Sequence, residues 1–362
     1  MLQRMMAMDG MSDLHVIGLP RRVVVGRGIM QSIGSYFKQL FPSELTVMVV
    51  TGQTIRKLVF PIVKGSLEDA GFNVYSVTVR DARIETAERV IEDAVEGKAD
   101  IIVGLGGGRS IDLAKYSAHR LNRKWVSVPT VASHDGITSP FASLKGFEKP
   151  VSRKARMPDL IFIDVDVIMK APRRYNIAGF GDLIGKLTSV RDWRLAHKLK
   201  GEYYGEYSAS LALLSAKHVL TYYKEIGIGA YEGYRVLLEA LVSSGVAMGI
   251  AGSTRPASGS EHLFAHALSI VSKNPPLHGE AVAVGTIMMA YLHGINWREI
   301  RRRLKAVGAP TNAKELGVTE DEIIEALVLA ARIRPERYTI LGERGFTREA
   351  AERLARKTGV IS

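Results

Sequence analysis

The chain has 362 residues, of which 46% are hydrophobic and 24% charged, and its formal net charge is +12. This length allows two domains with separate cores, and the composition excludes an intrinsically disordered protein. Because cysteine is absent, disulfides, thiolate nucleophiles and cysteine-bound metals are excluded, and any metal must be bound by His, Asp or Glu.

The basic residues are scattered, and their densest cluster, residues 298–305, is typical of the exposed face of a helix. We therefore expect no nucleic-acid partner and interpret the charge as attraction for an anionic substrate. No apolar run reaches the roughly 18 residues that cross a bilayer. We predict a cytoplasmic protein without stable membrane insertion. Plentiful Arg, Lys and Glu with little Gln favour a heat-adapted protein.

The first half of the chain alternates apolar runs with amphipathic segments. The apolar runs predict strands at residues 23–25, 46–51, 74–79, 101–103, 125–128 and 160–165. Helical periodicity fills most of the gaps, for example at 84–96 and 111–119. This alternation predicts an α/β fold with a Rossmann-like, mainly parallel sheet covered by helices on both faces.

The pattern becomes almost purely helical after about Lys170, as in residues 204–223, 231–248 and 320–333. We predict an α/β dinucleotide-binding domain over residues 1–170 and an all-helical domain over residues 171–362. An active site is expected in the cleft between them.

A glycine-rich loop, IIVGLGGGRSIDLAK, joins the fourth predicted strand to the next helix. Its glycines at 104 and 106–108 let the backbone approach a ligand, and the helix start offers N–H groups to a pyrophosphate. Ser110 is predicted to cap this helix and Asp112 to lie in its first turn. The run lacks the G-x-G-x-x-G spacing, so a plain tight turn is the alternative.

A second polar loop, VPTVASHDGITSPFASL, follows the next strand. Its hydrogen-bonding residues are Thr130, Ser133, His134, Asp135, Thr138 and Ser139. Alone, such a segment is typical of a surface loop. Two polar loops after neighbouring parallel strands, however, share the carboxyl edge of the sheet, where α/β proteins bind ligands.

The second half contains a set of possible metal ligands. His262 and His266 are four residues apart and share one helix face, and His278 precedes a second helix. With Asp182 of GFGDLIGK, they suit a zinc ion that keeps one position open for substrate. Structural histidines and a helix-capping Asp182 are the alternatives. An HExxH protease is excluded because Leu263 follows His262.

Together these motifs resemble the superfamily of iron-containing alcohol dehydrogenase and glycerol dehydrogenase, which also includes dehydroquinate synthase. The resemblance covers nearly the whole chain, with the motifs in the same order, and TVASHDGITSPFASL is most similar to the branch that acts on sn-glycerol-1-phosphate. It implies a reversible, zinc-dependent reduction of dihydroxyacetone phosphate by NADH or NADPH, which yields sn-glycerol-1-phosphate for archaeal-type membrane lipids.

The resemblance also implies roles for individual residues. Asp182, His262 and His278 correspond to the metal ligands, and His266, Asp135 and Asp182 to catalytic and substrate-binding residues. The implied cofactor-binding residues are Gly106, Gly107, Gly108, Arg109, Ser110, Asp112, Thr130, Ser133 and Ser139. The sequence leaves open whether the product receives its proton from His266, in its neutral or charged form, or from an ordered water.

Gly52 marks a departure from many relatives, which carry an acidic residue there that repels a 2′-phosphate; we therefore expect NADP(H) to be accepted alongside NAD(H). The basic candidates for the substrate phosphate are Lys145, Lys149, Arg153, Arg255 and Lys273, each also expected to be an ordinary surface charge.

Three other functions are compatible with the sequence. A glycerol or other polyol dehydrogenase would use the same fold and site. A synthase similar to dehydroquinate synthase would use NAD transiently. The first metal ligand along the chain is normally Glu in such synthases, whereas this sequence has Asp182. A metal-binding regulator or RNA-binding protein could retain the fold, but the intact loop and ligand residues argue against lost chemistry. We expect a homo-oligomer.

Overall fold

The computed structural model of the protein describes residues 15–146 and 151–362, so that Lys149 lies outside the described residues. The strands are β1 Arg22–Gly26, β2 Thr46–Thr51, β3 Asn73–Thr78, β4 Ile101–Gly106, β5 Lys124–Pro129, β6 Phe141–Leu144, β7 Val151–Lys154 and β8 Leu160–Asp164. Within these ranges, six strands form one parallel sheet in the order β1-β8-β5-β4-β2-β3, and β6 and β7 form a separate antiparallel hairpin.

Helices lie between the strands and make up nearly all of the second half. In the first half they are α1 Ile33–Lys38, α2 Gln53–Leu58, α3 Phe60–Asp69, α4 Ile84–Glu96, α5 Gly108–Arg120 and α6 Val165–Met169. In the second half they are α7 Arg173–Ile184, α8 Lys186–Lys200, α9 Glu206–Thr221, α10 Tyr223–Ile228, α11 Tyr231–Ala251, α12 Ser260–Val271, α13 His278–Leu292, α14 Trp297–Val307, α15 Ala313–Leu316, α16 Glu320–Ile333 and α17 Arg348–Lys357.

The predicted fold class is confirmed, and each predicted strand lies within a few residues of an observed one. The β6–β7 hairpin was missed because each strand has only four residues and follows a loop dominated by turn-forming residues. The helix predicted over 204–223 is divided, because α9 ends at Thr221 and α10 begins at Tyr223. The domain boundary at 170/171 stays a prediction.

The sheet is buried on both faces, because its strands alternate their side chains between two cores. Leu160 and Phe162 of β8 belong to a core shared with α1 and α3, whereas Ile161 and Ile163 belong to the core of the C-terminal helices. The helical half therefore packs directly on one face of the sheet.

Helix α11 has 21 residues and is apolar enough to cross a membrane by length and composition, but 61% of its most apolar window is buried in the protein. It packs against α7, α9 and α10. We interpret it as a core helix.

The strand order places a ligand crevice at a defined edge. After β2 and β3, the chain returns to the other side of β2 to form β4. In open α/β sheets, ligands bind outside the carboxyl ends of the strands at such a reversal. Gly52 follows β2, and the glycine loop follows β4, so both border this crevice.

Candidate active site

The glycine loop makes a tight turn from β4 into α5. Gly106 has φ +148°, a conformation that favours glycine, and its carbonyl accepts a hydrogen bond from Thr130 N at 3.0 Å. A Cβ at Gly108 would lie 2.3 Å from His134 Nε2. The two polar loops are therefore in contact, and glycine is required where they meet.

Two details of the predicted helix start were wrong. The N-cap of α5 is Gly107, so Ser110 is the third helical residue, and Asp112 lies beyond the first turn. Asp112 Oδ1 instead accepts a hydrogen bond at 3.0 Å from Nζ of Lys115, a fully buried lysine. Lys115 Nζ also donates to the carbonyl oxygens of Gly136 and Phe141, each at 2.7 Å. Lys115 thus ties α5 to the second loop.

The second loop is not a surface loop, since Thr130, Asp135, Thr138 and Ser139 are each no more than 8% exposed. Hydrogen bonds hold this loop to the helical half and to the residue that begins β6. Its backbone donates from Ala132 N to Asn176 Oδ1 at 2.8 Å and from Asp135 N to Asp182 Oδ2 at 3.1 Å, and Ser139 Oγ donates to Phe141 O at 3.1 Å.

Three of the predicted ligands meet at one point. Asp182 lies in α7, His262 in α12, and His278 is the first residue of α13, and their donor atoms all lie within 4.8 Å of one another. Asp182 Oδ1 is 3.3 Å from His262 Nε2 and 3.9 Å from His278 Nε2. A Cβ at Gly181 would lie 2.2 Å from Gly279 O. Glycine here lets α7 and α13 approach closely enough to bring Asp182 to His278.

Glu261 orients the His262 ring from behind. His262 Nδ1 donates to Glu261 Oε1 at 2.8 Å, and this buried carboxylate also accepts from Gly259 N at 2.7 Å and from Thr188 Oγ1 at 2.6 Å. Because Nδ1 is engaged by Glu261, Nε2 is the ring nitrogen turned toward Asp182, the arrangement that metal-binding histidines use once Nε2 is deprotonated.

Lys186 links the two aspartates at the base of the site. Its Nζ is fully buried and lies 2.9 Å from Asp135 Oδ2, 3.2 Å from Asp182 Oδ2 and 2.9 Å from Asp182 O. Burial alone would lower the pKa of Lys186, but Asp135 and Asp182 outweigh it and raise the pKa. Ser244 Oγ completes the group by donating to Asp135 Oδ2 at 2.7 Å.

Asp182 is accordingly held as a carboxylate. Burial opposes its charge, but Lys186, His262 and His278 lower its pKa well below the usual value. Because Lys186 occupies Oδ2, Oδ1 faces the two histidines. One carboxylate oxygen and two imidazole nitrogens, with 40% of the His278 side chain exposed, fit a zinc-class divalent metal that is open on one side.

His266 lies beside this set of donors, with its ring centroid 5.6 Å from that of His278 and 6.5 Å from that of His262. Burial lowers its pKa well below the usual value, and electrostatic interactions with His278, His262, Arg334 and Arg337 lower it further. The neutral form of His266 is therefore favoured.

Several residues that matter to this geometry were missed by the sequence analysis. The residues not considered are Lys115, Lys186 and Glu261. Each lies in one of the motifs, and its burial shows that its charge must be paired. His134 was noted only as a polar loop residue, yet its ring lies against Gly108 of the glycine loop.

The expected surface charge at Arg255 was wrong, because this residue is 4% exposed and forms a bidentate pair with Glu202. The other described candidates for binding the substrate phosphate, Lys145, Arg153 and Lys273, are exposed.

Comparison with known proteins identifies clear relatives. The family model described as iron-containing alcohol dehydrogenase matches residues 24–172. The chain is 67% identical over 350 residues to a glycerol-1-phosphate dehydrogenase (NAD(P)+) of Aeropyrum pernix, covering 97% of this chain and 99% of the relative. It is 56% identical to the protein of the same name from Hyperthermus butylicus, covering 96% and 99%.

Among solved structures, glycerol dehydrogenase from Schizosaccharomyces pombe is similar in fold, with a TM-score of 0.78 and 22% identity over 96% of this chain and 91% of that chain.

Proposed function

The chain belongs to the glycerol-1-phosphate dehydrogenase (NAD(P)+) family of oxidoreductases, as its motifs indicated, and we propose that it reduces dihydroxyacetone phosphate to sn-glycerol-1-phosphate with a bound zinc ion. The reaction is reversible and uses NADH or NADPH. In the reductive direction it supplies the backbone of archaeal-type membrane lipids. We place it in the cytoplasm, in a homo-oligomeric enzyme.

The observation that carries this proposal is the meeting of a cofactor loop and a metal-ligand cluster. Gly108 of the glycine loop packs against His134, and the next residue of that second loop, Asp135, donates from its backbone N to Asp182 Oδ2 of the cluster at 3.1 Å. A dehydrogenase needs this adjacency, because the nicotinamide and the carbonyl that it reduces must lie side by side.

Asp182, His262 and His278 would hold the metal. When bound, zinc supplies Lewis acidity to the substrate carbonyl, and the reduced nicotinamide supplies the hydride. Glu261 keeps His262 in the ligating tautomer, and Lys186 keeps Asp182 ionised with Oδ1 toward the histidines.

The other predicted site residues bind and orient. The backbone N–H groups at the start of α5 bind the cofactor pyrophosphate, with Arg109 exposed beside them. Asp135 contacts a substrate hydroxyl from a position fixed by Lys186 and Ser244. Neutral His266 hydrogen-bonds the substrate, and the product oxygen receives its proton from His266 or from an ordered water.

The cofactor preference follows from Gly52. A Cβ at this position would meet no atom within 4 Å, so the crevice beyond β2 has room and carries no carboxylate from this residue. Because no carboxylate at this position repels a 2′-phosphate, we expect kcat/KM for NADPH to lie within about tenfold of that for NADH. A factor of ten corresponds to about 1.4 kcal/mol of discrimination. No binding of NADPH would contradict this.

The assay mixes zinc-loaded protein with NADH or NADPH and dihydroxyacetone phosphate, follows cofactor oxidation, and resolves the enantiomer of the product. The proposal predicts net oxidation and sn-glycerol-1-phosphate. Turnover only on unphosphorylated dihydroxyacetone or glycerol would assign a polyol dehydrogenase. A synthase that uses NAD transiently would show no net cofactor turnover.

A further inference from the structure

Arg255 and Arg337 lie at the segment that leads into α12, the helix of His266, and Arg334 follows the helix that packs on α12. Arg255 is neutralised by an ion pair. Arg255 forms its bidentate pair with Glu202 and donates from Nη1 to Tyr338 O at 3.0 Å. Arg334 and Arg337 follow the end of α16 at Ile333. Within the described ranges, neither of these two guanidinium groups has a carboxylate within ion-pair distance, although Glu336 lies nearby in sequence.

Arg337 is held by neutral partners. Its Nη1 donates to Ser258 O and its Nη2 to Thr254 Oγ1, both at 2.7 Å. Burial lowers the pKa of Arg337 to about 9, with Arg334 and Arg255 adding to the effect. At neutral pH the group therefore stays cationic in a position where an anion would be strongly favoured.

Arg334 reaches from the helical half to the hairpin of the first half. Its Nη2 donates to Ser152 Oγ of β7 at 3.3 Å, and burial also lowers its pKa. The two arginines thus have fixed side chains, because each is tied to a neutral oxygen on a different segment. A fixed guanidinium fork matches the oxygen geometry of a phosphate group.

The position of the pair relative to the metal ligands is set by two helices. Helix α16 packs along α12, which carries His262 and His266. Arg337 is tied to Ser258 O, two residues before α12 begins at Ser260, and the ring of His266 in α12 lies next to that of His278. The pair therefore lies on the His266 side of the cluster.

We propose that Arg334 and Arg337 bind the phosphate group of the substrate. This inference rests on the proposed function, in which the substrate is a small ketone phosphate whose phosphate is one carbon away from the reacting carbonyl. Two fixed guanidinium groups without a carboxylate partner can supply the positive charge that this dianion requires. The pair thereby sets the preference for a phosphorylated over an unphosphorylated substrate.

The test compares Arg334→Gln and Arg337→Gln with Arg332→Gln, an exposed arginine at the end of the same helix. For each protein, KM and kcat are measured with dihydroxyacetone phosphate and with dihydroxyacetone, and inorganic phosphate is tested as a competitive inhibitor. Zinc content and Tm are recorded alongside. Arg337→Lys is included because it keeps the charge and loses the fork.

Each Gln variant should raise KM for dihydroxyacetone phosphate about 10- to 100-fold, the usual effect of losing a hydrogen bond to a charged group. Inhibition by phosphate should weaken to the same degree. Zinc content and kcat/KM for dihydroxyacetone should stay within about twofold of the wild type, Arg337→Lys should recover part of the loss, and Arg332→Gln should behave as wild type.

An unchanged KM for dihydroxyacetone phosphate in both Gln variants would overturn the inference. So would an equal loss on dihydroxyacetone, which would assign the arginines to the integrity of the cleft, or a rise confined to the KM for NADPH. If the wild type does not turn over dihydroxyacetone phosphate, the proposed function fails instead. Calorimetry with inorganic phosphate then decides: binding lost in Arg334→Gln supports an anion site, and equal binding refutes it.

Discussion

The glycine loop and the metal-ligand cluster are joined through the second polar loop but are built by opposite means. The loop is one short segment, and the groups that we propose to bind the cofactor are backbone N–H groups that glycines leave accessible. The cluster takes side chains from α7, α12 and α13 and encloses a buried lysine and three buried carboxylates. We therefore expect the function of the loop to be lost when a side chain is added to a glycine, and the function of the cluster to be lost when a charged side chain is replaced by a neutral one.

The largest effect is expected from removing the central ligand. Asp182→Ala should lower kcat/KM by about 1,000-fold or more, because the variant loses metal affinity and transition-state stabilisation together. Zinc per chain and turnover are measured on the same sample. Asp166→Ala, which breaks an ion pair of Asp166 with exposed Arg27, is the control and should retain both. Full zinc with full activity in Asp182→Ala would exclude this cluster as the metal site.

The two buried lysines, Lys186 at the cluster and Lys115 beside the glycine loop, allow the same substitution to be made in both regions. Lys186→Met leaves Asp135 and Asp182 without their counter-charge and should reduce the free energy of unfolding by about 3–5 kcal/mol. Lys115→Met leaves Asp112 unpaired and should cost a similar amount. Urea denaturation gives both values.

Zinc content distinguishes the two lysine variants. Lys186→Met should lose zinc because Asp182 is no longer fixed, whereas Lys115→Met should retain it because its contacts lie in the cofactor half. Equal zinc loss in both variants would show that the two regions are not separable in this way.

A smaller effect is expected behind the cluster. Glu261→Gln keeps the shape of the side chain but weakens the hydrogen bond from His262 Nδ1, so zinc affinity should fall about 10- to 100-fold. Competition with a metal chelator measures the affinity. KM for NADH should not change, and a rise in KM without a change in zinc affinity would contradict the role given to Glu261.

The smallest effect is expected in the loop. Gly108→Ala places a Cβ 2.3 Å from His134 Nε2, so the loops must separate, at a typical cost of about 1–3 kcal/mol. We expect KM for NADH to rise about tenfold or more with zinc content unchanged. Steady-state kinetics at varied NADH provide the measurement, and unaltered kinetics would mean that this contact does not shape the cofactor site.

The same contrast explains how far the sequence could be interpreted. The parallel sheet and the glycine loop were predictable because their signals are local: apolar strands, periodic helices and a run of glycines. Asp182, His262 and His278 were found through residue type and resemblance, and the structure brings them together.

The missed residues depend on contacts between distant segments. Lys186 looks like an ordinary polar residue in a helix until the second loop places Asp135 beside it. Arg334 and Arg337 likewise look like exposed charges at a helix end, and only packing against Ser152, Thr254 and Ser258 shows that they are held.

The most direct test of the account is a zinc titration of protein that has been stripped with a chelator, with bound metal and reduction of dihydroxyacetone phosphate followed together. We predict that stripped protein is inactive and that activity rises in proportion to bound zinc until about one ion per chain, the number that one set of Asp182, His262 and His278 can hold. Full activity in the stripped protein, or activity that rises equally in His262→Ala, would contradict the account.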